Sequence, residues 1–292
     1  MKYVLRDWIP FENLFFPQLC TNPRAIDLIK QWPEKIVWTF LSENKNPEAI
    51  ELLGRNPDKI DWTFLSANPG AIDLLYANSD KIDWTFLSRN TNPVAIYLLR
   101  ENPDKINWAY LSGNPAAIDL LKQWPDKINW MWLSGNPAAI DLLRANHDKI
   151  NWYLLSMNPA AIDLLEQNPD KIDWTFLSQN PAAIDLLEQN PDKIDWGGLS
   201  ENPAAIDFLQ ENPDKINWTY FSKNPSIFVF NPRWILEEPL SRKEIRQFAW
   251  EYPRTYLRLR AFVEHVSQAV YNPSFAWCRK KLLKDYNDLL VS

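Results

Sequence analysis

The chain has 292 residues, of which 46% are hydrophobic, and its formal net charge is −6. A chain of this length and hydrophobicity can bury a large core, which excludes an intrinsically disordered protein. The acidic balance argues against nucleic acid as the main ligand, because the phosphate backbone attracts basic surfaces. Only 6 glycines are present, and neither a GxGxxG nor a GxxxxGK[ST] motif occurs, which argues against nucleotide binding.

Histidine and cysteine are too scarce for the common catalytic and metal sites. The two histidines are His147 and His265, and the two cysteines, Cys20 and Cys278, stand far apart in the chain. These residues are too few for a disulfide framework or a zinc cluster, and they favour a reducing compartment. We therefore expect a protein without enzyme activity, catalytic residues, bound metal or cofactor.

Hydrophobic residues are spread along the chain and do not form long apolar runs. No run approaches 18 residues, and the first residues lack the apolar region of a signal peptide. We expect a protein that is not secreted, has no transmembrane segment and has no membrane partner.

A motif that starts with Asn-Pro and continues two residues later with Ile or Ala-Ile recurs along most of the chain. Successive copies are 22 residues apart, except for two intervals of 24 residues with insertions around Lys45 and Thr91. A fixed period of this length is typical of a solenoid built from stacked units. The motif begins at Asn22, Asn46, Asn68, Asn92, Asn114, Asn136, Asn158, Asn180, Asn202 and Asn224.

These positions divide the chain into three parts. Residues 1–21 match the second half of a unit in degenerate form and predict an N-terminal capping half-repeat. Residues 22–223 form nine units, and residues 224–292, where the period ends, predict a C-terminal helical cap with helices over 241–252, 255–270 and 273–290. Residues 233–292 contain 11 Lys and Arg against 7 Asp and Glu, whereas residues 1–232 contain 20 against 30. A basic cap thus follows an acidic solenoid.

Each unit carries the signals of two short helices. In the unit that starts at Asn180, this residue is a natural N-cap and Pro181 suits the first helical position. The second Asn-Pro predicts a turn, and the Asp or Asn before each Trp, such as Asp195, caps a second helix of one or two turns. We therefore expect an all-α fold, a right-handed α-solenoid of ~22-residue helix–turn–helix repeats.

A leucine-rich repeat is the alternative. Residues 60–64 alternate in the manner of a strand, and 22 residues is a common length for that repeat. The leucine-rich pattern, however, needs Leu at every second position. In this chain Leu stands three residues after Trp, and helix-capping residues flank the segment that contains them. The helical solenoid is favoured, with a length of about 70–90 Å for nine layers in a rod or arc.

The repeat NPxAIxLLxxNPDKIxWxxLS, preceded by the segment 5–9 (LRDWI), resembles a family of short tandem-repeat proteins that nucleocytoplasmic large DNA viruses (giant viruses) encode in many copies. The resemblance covers about residues 5–230, and the segment 224–228 (NPSIF) is similar to the usual ending of that family. The family has no assigned biochemistry, so the resemblance implies a viral origin rather than a mechanism. The second Pro is replaced by Ser79 and His147, and the second Asn by Trp32 and Trp124.

One Trp recurs in every unit, at Trp38, Trp62, Trp84, Trp108, Trp130, Trp152, Trp174, Trp196 and Trp218. A residue that is identical in every unit performs the same packing role in every unit, so we expect this Trp ladder to fill the gaps between successive units as a structural core. A ladder of stacking sites for a ligand is the alternative.

Charged residues and serines also recur in rows. We expect a network of ion pairs between neighbouring units, with an acidic groove for a basic partner as the alternative. The Lys row is Lys35, Lys59, Lys81, Lys105, Lys127, Lys149, Lys171, Lys193 and Lys215, and the acidic row, interrupted by Tyr97, is Asp27, Glu51, Asp73, Asp119, Asp141, Asp163, Asp185 and Asp207. The recurring Ser, without histidine beside it, is expected to bond the backbone.

The two positions after each Trp vary between units, and specificity is expected at variable positions. Units 4 to 6 concentrate aromatic and Met residues, which protein interfaces favour. Repacking of a shared core explains such variation equally well. The candidate protein-binding residues are Tyr110, Trp124, Met131, Trp132, Tyr153 and Met157. We expect Trp124 and Trp132 to anchor a partner together, and Gly197 and Gly198 to leave a notch or a flexible point.

Taken together, these patterns predict a scaffold that mediates protein–protein interaction. The first hypothesis is a viral adaptor for host or viral proteins in the infected-host cytoplasm, with self-association as a further possibility. The second is a virion-associated component that braces other proteins by its length. The third, and weakest, is an enzyme with a site in residues 231–292, where Glu244, Glu251, Glu264 and His265 occur without a catalytic spacing.

Overall fold

The computed structural model describes residues 2–231, and the helices predicted between 241 and 290 lie outside this range. Within it, the predicted all-α solenoid is confirmed, because each unit folds as two short α-helices joined by a 3₁₀ turn. We call the two helices of a unit the Ile helix and the Trp helix, and we number the units 1 to 9 from the one that contains Trp38.

The helices follow the period of the sequence. The Ile helices are Ile26–Ile29, Pro47–Gly54, Ile72–Ala77, Pro93–Glu101, Ile118–Leu121, Ile140–Ala145, Ile162–Glu166, Ile184–Glu188 and Ile206–Glu211. The Trp helices are Trp38–Ser42, Trp62–Ala67, Trp84–Leu87, Trp108–Ser112, Trp130–Ser134, Trp152–Ser156, Trp174–Leu177, Trp196–Glu201 and Trp218–Phe221. Helices this short are unstable alone, so packing between units must hold them.

Short 3₁₀ helices fill most of the connections. They span Phe11–Asn13, Pro33–Lys35, Pro57–Lys59, Pro69–Ala71, Ser79–Lys81, Pro103–Lys105, Pro115–Ala117, Pro125–Lys127, Pro137–Ala139, His147–Lys149, Pro169–Lys171, Pro191–Lys193, Pro213–Lys215 and Pro225–Ile227. Two strands and one further α-helix lie at the ends of the array: β1 is Tyr3–Leu5, β2 is Phe228–Phe230, and the helix is Phe16–Leu19.

The N-cap predicted before the Trp helix is present, because the Oδ1 of Asp173 accepts a hydrogen bond of 3.0 Å from the backbone N–H of Phe176 and satisfies a donor that a helix leaves unpaired at its start. The N-cap predicted at Asn180 is wrong, since the helix begins at Ile184. The Oδ1 of Asn180 instead accepts a bond of 3.0 Å from Ala182 in the turn before that helix. The alternating segment 60–64 is not a strand, because a helix begins at Trp62, so the leucine-rich alternative is wrong.

The core lies between the two layers of helices. In unit 6, Leu155 stands three residues after the Trp and is fully buried. Ala161, at the N-cap of the next Ile helix, and Leu165 within that helix are buried with it. The same positions are buried in the other units, which places one apolar stripe of each helix in a continuous core.

A ladder of buried asparagines joins each unit to the one before it. The Nδ2 of Asn158 donates to the backbone oxygens of Ser134 and Asn136, at 3.0 and 3.1 Å. In units 2 and 4 the ladder residue is Asn44 or Asn90, two residues before the Asn of the Asn-Pro motif. Each two-residue insertion therefore follows the ladder residue directly. The ladder, at most 2% exposed throughout, is Asn22, Asn44, Asn68, Asn90, Asn114, Asn136, Asn158, Asn180, Asn202 and Asn224.

The ladder closes on itself. The Nδ2 of Asn22 donates to the backbone oxygens of Ser222 and Asn224, at 3.2 and 3.0 Å, which is the pair of bonds that Asn158 makes to the preceding unit. Strand β1 pairs antiparallel with β2, with Val4 opposite Val229. The array is therefore a closed ring of ten units, and the tenth, which we call the composite unit, combines residues 224–230 with residues 3–21.

Ring closure corrects two expectations. The array is not an open rod or arc of about 70–90 Å, because each unit packs on a neighbour at both sides and the last packs on the first. The compact unit that contains the repeats is Met1–Asn231. The N-terminal half-repeat thus forms part of a junction instead of an exposed cap, and residues 224–231, which we assigned to the C-terminal cap, belong to the ring. The second compact unit, Pro232–Ser292, lies outside the described residues.

Candidate functional site

The Trp ladder packs against the core without being buried completely. All nine indoles are partly buried and contact buried core residues. In five junctions the Lys of the following unit covers the indole, and the ammonium of Lys149 lies 4.5 Å from the ring centroid of Trp130. The other four pairs are Lys59 on Trp38, Lys81 on Trp62, Lys105 on Trp84 and Lys193 on Trp174. The ladder is a packing element with a cation–π cover.

The expected network of ion pairs between units is correspondingly sparse in the part of the chain that the structure describes. Arg144 reaches Asp163 of the next unit at 3.9 Å, while Lys171 pairs with its sequence neighbour Asp170 at 3.4 Å. These side chains are at least half exposed, and such pairs stabilise little. Five of the nine lysines in the Lys row lie over an indole of the Trp ladder.

The recurring serines link successive units, as expected for structural residues. The Oγ of Ser156 donates to the backbone oxygen of Trp152 and accepts from the backbone N–H of Asp173, both at 2.9 Å. Cys20 takes the place of this Ser in the composite unit, where its sulfur bonds the backbone of Val37. Burial raises the pKa of the Cys20 thiol, which makes it a poor nucleophile.

The solvent side of each Trp helix consists of the first, second and fifth positions after the Trp, since the third and fourth are buried. We call the surface formed by these three positions in all ten units the inner face, for a geometric reason. Aromatic rings at the second position are 5.9, 6.0 and 5.6 Å apart in the order Phe64, Phe86, Tyr110, Trp132. These rings form a row of contacts from unit to unit, and charges at the fifth position act on one another across two units, which places these positions toward the axis of the ring.

The electrostatics of Glu43 agree with this convergence. Burial raises the pKa of its carboxyl group, while the positive charges of Lys223 and Arg89 act in the opposite direction. All three residues occupy the fifth position, but Lys223 and Arg89 are each two units away from Glu43 around the ring. Their charges influence Glu43 because the inner face brings alternate units together.

The inner face carries an exposed apolar cluster in units 4 to 6. We call Tyr110, Met131, Trp132, Tyr153 and Met157 the apolar sector. Met131 is 48% exposed, Trp132 38%, Tyr153 47% and Met157 37%, and Tyr110 is half-buried beside them. Five of the six candidate residues from the sequence thus lie on one face, at positions where most other units carry Thr at the first position and a half-buried Phe at the second.

Two glycines that the sequence did not single out shape this sector. Gly113 and Gly135 stand at the fifth position of units 4 and 5, and a Cβ atom added to Gly113 would lie 3.7 Å from Cε3 of Trp132. This is an ordinary contact distance, so the indole packs over Gly113 and an alanine would also fit there. The packing does not fix an indole at this position, and Trp132 remains a candidate binding residue.

Trp124 does not belong to the apolar sector. Its ring packs on Trp108, with centroids 5.5 Å apart, whereas Trp132 packs on Tyr110 at 5.6 Å. Trp108 and Tyr110 are two residues apart in one helix and so point about 200° apart. The expected joint anchor of Trp124 and Trp132 is therefore wrong, and Trp124 is partly buried against the core.

Gly197 and Gly198 leave no notch at the buried position. The Trp helix continues through both residues, and Gly198 is buried. A Cβ atom at Gly198 would lie 3.0 Å from Cγ of Gln179 and 3.1 Å from the backbone oxygen of Thr175. The side chain of Gln179 occupies the space beside Gly198. Here the large residue is at the fifth position and the small one at the second position of the next unit, whereas Gly113 and Trp132 have the reverse arrangement.

Comparisons with protein-family models, with curated proteins and with solved structures found no match for this chain. Across the described residues, no group of His, Cys, Asp and Glu side chains is arranged to hold a metal ion. In the same part of the chain, every helix is too short or too polar to cross a membrane.

Proposed function

We propose that this chain is a non-enzymatic ring scaffold that binds a protein partner through the apolar sector of its inner face. The observation that supports this function is the exposure of Met131, Trp132, Tyr153 and Met157, each between 37% and 48%. Adjacent exposed aromatic and Met side chains are unfavourable in water unless a partner covers them, and they are typical of interface hot spots.

The resemblance to giant-virus repeat proteins adds a biological setting to this proposal. We propose a viral adaptor for host or viral proteins, acting in the infected-host cytoplasm or in the virion, without nucleic acid or membrane as partner. The alternative of a structural virion component relied on an extended rod, and a closed ring offers no such length. The enzyme hypothesis relies on Glu244, Glu251, Glu264 and His265, which lie outside the described residues, and it remains the least supported proposal.

Site-specific photo-crosslinking in infected cells tests this function. A benzophenone amino acid replaces Met131, on the inner face, and in a matched protein it replaces Asp141, whose side chain is 95% exposed on an Ile helix. We expect a discrete adduct from position 131 that position 141 does not give, because only the former faces the proposed partner.

The adduct mass separates the possible outcomes. An adduct of twice the chain mass identifies self-association at the same face. Identical adducts from both positions, or none from position 131, would contradict a binding site on the inner face.

A further inference from the structure

The width of the opening follows from the spacing of the inner face. Aromatic rings are 5.6–6.0 Å apart at three junctions, and ten equal spacings of this size correspond to a circle with a radius of about 9 Å around the central axis. After about 3.5 Å is subtracted at each side for contact between carbon atoms, the opening is about 12 Å wide. An α-helix with its side chains is about 10–12 Å wide.

The opening has no charged residue on one side, whereas the other side carries charged and polar residues beside the rings of Phe40 and Tyr220. The apolar sector lies in units 4 to 6, and no charged residue occupies the inner-face positions of these units. The composite unit, half the ring away from unit 5, has the partly buried Gln18 and Thr21 at these positions, and its neighbours have Glu43 and Lys223. Glu201 of unit 8, 3.8 Å from Lys223, extends this polar side.

The charge of the ring favours a basic partner. Residues 1–232 contain 20 Lys and Arg against 30 Asp and Glu, so the ring attracts positive segments over a distance. At the polar side of the opening, Glu43 is an acceptor for Lys or Arg side chains, and Glu201 is a second one that a partner shares with Lys223.

We propose that the opening of the ring binds one basic amphipathic α-helix of the partner protein, with its apolar side on the apolar sector and its polar side toward Gln18, Glu43 and Glu201. This inference rests on the proposed function and specifies the partner. A helix presents apolar side chains along one stripe, at spacings of three and four residues, and this matches an opening with one apolar wall.

A designed peptide tests the proposal with the full chain. The probe is a fluorescein-labelled helix of about 18 residues, or about 27 Å, with Leu along one stripe, Lys and Gln elsewhere, and lactam bridges that fix the helix. Its control has the same composition and bridges, with the leucines distributed around the helix. By fluorescence anisotropy we expect the control to bind at least tenfold more weakly, because it cannot place its leucines on one wall.

Two protein variants locate the site. Met131→Thr with Tyr153→Thr introduces the residue that most units carry at this position, so the variant is expected to fold, which circular dichroism and the melting temperature verify. We expect it to bind the amphipathic peptide at least tenfold more weakly. Tyr97→Thr, at an exposed Ile helix position outside the inner face, also replaces an exposed aromatic ring without changing the charge; it is the matched control and leaves binding unchanged.

Each outcome decides one statement. Equal binding of both peptides would overturn the amphipathic requirement, and equal binding by the double-Thr variant would overturn the inner-face site. If neither peptide binds, the helical partner is wrong, while the protein-binding function is decided separately by the crosslink at position 131.

Discussion

The backbone N–H of Phe15 donates a hydrogen bond of 2.8 Å to the Oγ of Ser222, although 207 residues separate them in the chain. The same bond, at 2.9 Å, joins Asp173 to Ser156 inside the array. The seam of the ring thus uses the Ser bond that is found at eight of the other junctions.

Deletion of residues 2–10 is expected to open the ring, because it removes β1 and the contact of Trp8 with Phe221. The seam is also the junction where Trp8 Nε1 and Gln18 Oε1 are buried without a hydrogen bond, each at a cost of about 1–3 kcal/mol. Small-angle scattering should show a larger radius of gyration for the deleted chain, together with a lower melting temperature. An unchanged radius would show that the strands are dispensable for closure.

Asn158→Asp is expected to lower the free energy of unfolding by about 2–4 kcal/mol, since a carboxylate cannot donate to the backbone oxygens of Ser134 and Asn136. The matched control is Asn146→Asp, because Asn146 is partly buried and donates only to Leu142 within its own helix end. Urea denaturation measures both. Equal losses would mean that the ladder contributes no more than a local cap.

Lys149→Met keeps the aliphatic part of the side chain but removes the charge above Trp130, so a loss of about 0.5–1 kcal/mol is expected. Lys171→Met is the control, because its ammonium pairs with an exposed carboxylate of Asp170 and such pairs contribute little. Chemical denaturation of the two variants should separate them. If both lose the same stability, the cation–π cover contributes nothing beyond surface charge.

Glu43→Gln is expected to stabilise the ring as pH rises. Burial holds the pKa of Glu43 above its ordinary value of about 4.3, so its contribution to stability is complete below that pH and is lost as pH rises through the raised pKa. Gln does not ionise, so the difference between variant and wild type should grow from pH 4 to pH 7. Urea titrations at both pH values test this, and a less stable variant at pH 7 would contradict it.

Gly198→Ala is expected to destabilise the ring, because the new methyl group meets the backbone oxygen of Thr175 at 3.1 Å. Gly54→Ala is the control in an Ile helix, where nothing lies within 4 Å of the new atom, and a gain of about 0.5–1 kcal/mol is expected there. The two melting temperatures should therefore move in opposite directions.

Local features of the fold were predictable because their causes are local. The cap at Asp173, the turn at Asn180 and the buried Leu155 depend on residues within one unit, and the period repeats them. Closure was not predictable, since it depends on the small rotation between units and on β1 and β2, two three-residue strands outside the motif.

The site was predictable in part for the same reason. Variation after the Trp identified Met131, Trp132 and Tyr153, because a position that changes in type is not fixed by the shared core. The contributions of Gly113 and Glu43 depend on which units face each other, and no sequence period encodes that. Variation five residues after the Trp was the available signal.

Because the ladder of buried asparagines closes on its first residue, the number of repeats in the chain is fixed. An open array can lose or gain a copy by unequal recombination and remain folded, because each copy needs only its neighbours. Here ten rotations of about 36° complete a turn. A protein with one copy fewer would leave the ring open between Asn22 and Asn224, which are hydrogen-bonded in the ring of ten units. Selection acting on such a gene would preserve the number of repeats, while the residues at the inner-face positions could diverge.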